Sequence, residues 1–126
     1  MAEAIAQHWR SDMILIATSD YSHAGPGYKD MPPEDSGLST AQYATQQDAR
    51  VIKAMVTEAT VEALQASSRA SKGQNRCSMC GLNPLLVTML LRERLSWPRP
   101  KLLSYATSDA VMHRGPNMTG FASLWI

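Results

Sequence analysis

The sequence predicts an α/β fold, a layered sheet flanked by helices, and three observations carry that expectation. Residues 13–17, Met-Ile-Leu-Ile-Ala, form an apolar run too short for an ordinary helix and without polar alternation, as in a strand buried on both faces. Ile52, Met55, Val56, Ala59 and Ala63 recur at three- and four-residue spacing, the mark of an amphipathic helix. Lys101–Thr107 and residues 119–126 read as two further strands. The order helix, strand, loop, helix, helix, strand, strand is that of a layered α/β unit.

Composition narrows the function classes. The 126 residues make at most one domain, and 44% hydrophobic with 18% charged residues is ordinary for a soluble globular protein. A net charge of +1 gives no reason to expect nucleic acid or an anionic membrane as partner. No apolar run approaches a membrane span, and the N-terminus, with Glu3 and His8, has no signal-peptide core. Cys77 and Cys80 lie too close together to frame a disulfide-rich secreted fold and point to a reducing, cytoplasmic compartment.

Taken in order, residues 2–9 read as the last turns of a helix, joined by Ser11 and Asp12 to the buried strand. That strand breaks into Thr18, Ser19, Asp20, Ser22 and His23 before Gly25-Pro26-Gly27 turns the chain away. Ligands in open α/β sheets sit beyond the carboxyl ends of strands, which places Asp20 and His23 where a site belongs. The plainer reading of His23 is a loop residue bonded to backbone. Residues 28–42 lack an apolar period and form either a surface excursion or a lid.

The amphipathic helix is expected over residues 48–66. Asp48 at its start is either a carboxylate favoured by the helix dipole or an acid directed at a site. Residues 67–76 read as loop. Asn83 and Pro84 then suit the N-cap and first position of a helix whose residues 85–95 are apolar almost all round. Cys80 precedes that helix start, where backbone N–H groups favour a thiolate. Two buried, inert cysteines are the alternative. Residues 108–118, with His113, read as loop.

A strand ending Thr18-Ser-Asp-Tyr-Ser-His-Ala-Gly25, a helix opening with Asp48, Cys80-Gly-Leu-Asn-Pro84, Tyr105-Ala-Thr-Ser108 and Thr119-Gly-Phe-Ala-Ser123 occur here in order. Together they resemble the C-terminal half of the Memo family, which is similar in fold to the class III extradiol dioxygenases. The resemblance covers nearly the whole chain. It implies that residues 1–126 are the C-terminal part of a single Memo-like domain whose N-terminal half is missing, through truncation or as a separate piece. It also implies that His23 and Cys80 line one pocket with Asp20 beside them. In the family the cysteine joins two histidines of the N-terminal half in a copper or iron site. Neither histidine has a counterpart here: His8 and His113 fall in no matching motif, and Cys77 matches no family role.

Three functions follow as expectations. The first is a Memo-type metal-binding or redox site, incomplete in this chain, with Cys80 and His23 as ligands and His23, Cys80 and Asp20 as reactive groups. The second is non-enzymatic recognition of a phosphorylated peptide or protein partner, or a degenerate fragment without activity. The third takes Cys77 and Cys80 as a dithiol or half a zinc site, although only Cys80 adjoins the helix start.

Overall fold

The computed structural model describes residues 1–70, 79–112 and 115–126. Its elements are α1 (Ala2–Gln7), β1 (His23–Ala24), α2 (Thr40–Lys53), α3 (Val61–Ala70), α4 (Leu82–Leu95), β2 (Lys101–Thr107), α5 (Ser108–Met112) and β3 (Met118–Trp125). The expected mixture of sheet and flanking helices is present. The sheet runs β1-β3-β2 and is antiparallel throughout. α2 packs on all three strands, α3 lies beside it, α4 packs on α3, and α1 docks on α4. An ion pair between Glu3 and Arg94 and an edge-on contact of Trp9 with Trp97 hold α1 there. Tyr21, Met55, Leu64, Leu85 and Met89 sit in one buried core. No helix among the described residues is long and apolar enough to cross a membrane.

The apolar run 13–17 is not a strand, contrary to the sequence expectation. Ile14 and Ile16 are 84% and 79% exposed, while Leu15 and Ala17 are half-buried. This alternation is strand-like. Among the described residues, however, no backbone hydrogen bond reaches 14–18. A strand exists only through a neighbour's donors and acceptors. Pairing begins in the polar stretch that follows: Tyr21 N–H donates to Gly120 O at 2.9 Å, and Gly120 N–H donates to Ser22 O at 3.0 Å. His23 is therefore a strand residue opposite Thr119 rather than part of a loop.

The helix expected over 48–66 is two helices. α2 begins earlier, at a capping box between Ser39 and Gln42, and runs into a π turn over Ala54–Glu58. The chain breaks at Ala59, which adopts a left-handed conformation with φ 55°. Thr60 restarts it, its Oγ1 accepting from Ala63 N–H at 3.1 Å. Arginines from elsewhere satisfy the carbonyls freed by the break: Arg92 Nη1 donates to Ala59 O at 3.1 Å, and Arg99 Nη1 to Thr57 O at 2.7 Å.

α4 starts at Leu82, two residues before the expected first position at Pro84, with Gly81 as its cap. Pro84 is the third helical residue and costs no hydrogen bond, because N–H groups in the first turn have no intrahelical acceptor. The expected loop 108–118 holds α5, and β3 begins at Met118.

Candidate functional site

Where segment 13–17 gives way to β1, Asp20 Oδ2 lies 3.4 Å from His23 Nε2. A carboxylate so placed favours one orientation and tautomer of the ring. The pair is on an open rim, with the side chain of His23 22% and that of Asp20 45% exposed. Tyr28 meets the imidazole edge-on at 5.0 Å, and pairing with Thr119 fixes the backbone beneath it.

Cys80 lies on a second stretch, which meets the first at Ser19. Its thiol is free and exposed, one residue before the α4 cap. Gly81 N–H donates to Ser19 Oγ at 3.0 Å, and Ser19 O–H donates to Asp20 O at 2.7 Å. The two backbones are in contact, since a Cβ on Gly81 would stand 2.4 Å from Ser19 Cβ. The residue after Cys80 is thus bonded to the residue before Asp20. The structure brings these two stretches into contact at Gly81 and Ser19.

Asp48 is buried behind Ser22. It lies inside α2 rather than at a helix start, so the dipole reading of this residue is corrected. The carboxyl is buried, accepting Ser22 N–H at 2.8 Å on Oδ1 and Tyr105 O–H at 2.7 Å on Oδ2. Burial pushes its pKa up, against the opposing pull of the Ser22 and Tyr105 hydrogen bonds and of nearby His23. Burial and the Asp48 charge together hold the Tyr105 phenol above its ordinary range, so Tyr105 stays a donor. Gly120 leaves the necessary space: a Cβ there would fall 1.8 Å from Asp48 Oδ2. Ser19, Ser22, Tyr105 and Gly120 were not identifiable as site residues from composition or periodicity, because they act through backbone contacts and missing volume.

The donor set for a metal is partial. Among the described residues, no three His, Cys, Asp or Glu side chains gather into a group able to hold an ion. His23 and Cys80 offer two donors, and Asp20 already faces His23. Copper or iron therefore does not fit these residues by themselves, since a tight site takes three or four protein ligands. His8 is exposed at the C-terminal cap of α1. Cys77 and His113 lie outside the described residues, as does any dithiol formed with Cys77.

A cavity of about 600 Å³ opens beside Asp20 and runs along segment 13–17, walled by Trp9, Trp97, Phe121 and Trp125. Among the described residues, Asp20 is the only charged side chain lining it.

The motifs that built this rim agree with the comparisons. The family model described as Memo-like protein matches residues 1–125. The chain is 26% identical over 126 residues to a MEMO1 family protein of Methanococcus vannielii, an alignment covering 100% of this chain and 38% of the relative. It thus spans less than two fifths of the length of that curated relative. The chain belongs to the Memo-like protein family.

Proposed function

We propose that the chain supplies one wall of a Memo-type reactive pocket. In this reading Asp20 orients His23 for ligation or proton exchange, and Cys80 presents its sulfur from the start of α4. The observation that carries it is the Gly81–Ser19 hydrogen bond, which joins the cysteine-bearing and histidine-bearing stretches into one rim. A copper or iron ion would take His23 and Cys80 as two of its ligands. Further donors would come from outside the described residues or from sequence corresponding to the rest of the Memo-like relative. When bound, such an ion supplies Lewis acidity or a redox centre.

The test is a copper(I) titration of the full chain against a colorimetric chelator. The expected result is saturable binding that weakens at least about tenfold in Cys80→Ser and in His23→Ala and is unchanged in Cys77→Ser. Binding by Cys80→Ser equal to that of the native chain overturns the reading. Phosphopeptide recognition has weaker physical support, because among the described residues the large apolar cavity offers no Lys or Arg to a phosphate.

A further inference from the structure

The cavity of about 600 Å³ lies at the edge of a strand rather than under one face of the sheet. Its walls include neighbours that point to opposite faces: Phe121 with Ala122 on β3, and Ile14 with Leu15 on the segment across from it. The two walls are joined by the hydrogen bonds of Tyr21 and Ser22 to Gly120, and beyond these they part around the cavity. Gly120 turns both its N–H and its C=O toward β1. Strand alternation turns those of Ala122 and Leu124 the same way, where no backbone among the described residues meets them. Residues 14–18, across the cavity, are equally without backbone partners there. Two strand edges thus flank one gap, and an extended segment lying between them satisfies both. The walls also set its character. It must be apolar, since Asp20 is the only charge lining the cavity among the described residues.

The chain carries such a segment itself: residues 13–17 are apolar, alternate in exposure as a strand does, and bear no charge. We propose that two copies of this chain join about a twofold axis, residues 13–17 of each entering the cavity of the other. The two segments pair with each other at the axis, and each pairs along its second edge with β3 of the other copy. The strand order becomes β2-β3-segment-segment-β3-β2, a closed arrangement that leaves neither wall of the cavity unpaired. An antiparallel register centred on Leu15 sets Met13 opposite Ala17 and Ile14 opposite Ile16. It joins all five apolar residues and keeps each side chain on its own face. Charge agrees with this direction. Arg10 precedes the segment and Asp20 follows it, so antiparallel pairing brings Arg10 of one copy toward Asp20 of the other at both ends. Parallel pairing would bring like charges together. Arg10 can make this contact at little cost, because its ion pair with Asp12 is exposed.

The test is sedimentation equilibrium of the full chain together with amide hydrogen exchange. The expected result is a reversible dimer in which the amides of residues 14–18, Ala122 and Leu124 are protected, and lose that protection on dilution. A segment paired on both edges uses every N–H, so Ile16→Pro is expected to weaken the dimer at least about tenfold. Ile16 is exposed in the single chain and its N–H has no backbone partner among the described residues, so the variant spares the rest of the fold. Leu15→Cys, with Cys77→Ser and Cys80→Ser, is expected to give a covalent dimer under mild oxidation, because the two Leu15 positions meet at the axis. A chain that stays monomeric up to about millimolar concentration overturns the proposal. So does a dimer that Ile16→Pro leaves intact, or one whose residues 14–18 exchange as fast as an unfolded chain. Protected amides in a chain bound one-to-one to a different polypeptide also overturn it and give the cavity to a foreign strand. If either variant does not fold, mass and exchange of the native chain decide.

Discussion

At the scale of single residues, Asp48 and Gly120 form one design: an acid is buried where a glycine on the facing strand leaves it room. The energetic sign of that burial can be worked out. Burial raises the folded-state pKa of Asp48 above its ordinary value of 3.8. The folded protein therefore holds this proton more tightly than the unfolded chain does. The associated stability is complete at low pH and is lost as pH rises through the folded value. The expected outcome is that Asp48→Asn gains on the native chain between about pH 4 and pH 7, read as the difference in urea midpoints. A gap constant with pH would show that the Asp48 charge carries no such cost. Only part of this was legible in the sequence. The position of Asp48 on the apolar side of its helix marked it as unusual, but Tyr105 and Gly120 are distant in sequence and nothing in their spacing announces a shared carboxylate.

At the scale of elements, β2 and β3 were legible because alternation along a strand reflects a local steric rule. The break at Ala59 was not. Alanine is the best helix former, and the carbonyls exposed by the break find their partners in Arg92 and Arg99, more than thirty residues away. The start of α4 misled for the opposite reason: a good local Asn-Pro signal lost to Gly81, which the contact with Ser19 requires. The end of α4 offers a direct check. Trp97 N–H donates to Arg92 O at 2.9 Å across Ser96, which sits in the left-handed region at φ 53°. Ser96 is exposed and loses little packing if truncated. Ser96→Gly is expected to stabilise the chain by about 0.5–1 kcal/mol in chemical denaturation. A loss of stability would mean that the Ser96 side chain contributes more than its conformation costs.

At the scale of the whole molecule, segment 13–17 is the discrepancy that matters. Its composition is that of a buried strand, but composition cannot say whether neighbouring strands are at hand, and among the described residues none pairs with it. Ile14 and Ile16 face outward on an unpaired stretch beside the aromatic cavity, a surface prone to pair with another chain. Concentration-dependent light scattering of the full chain is expected, with Ile14→Lys plus Ile16→Lys suppressing it. Scattering that the double variant leaves unchanged would place the sticky surface elsewhere.

The ladder between β1 and β3 has a last consequence, for the order of assembly. β2 and β3 are close in sequence and can pair through a short closure. Joining Ala24 to Met118 instead closes a loop of roughly ninety residues, at a correspondingly larger entropy cost. The placement of His23 opposite Thr119 depends on that long closure. Strand β1 is thereby expected to be the last part of the sheet to order.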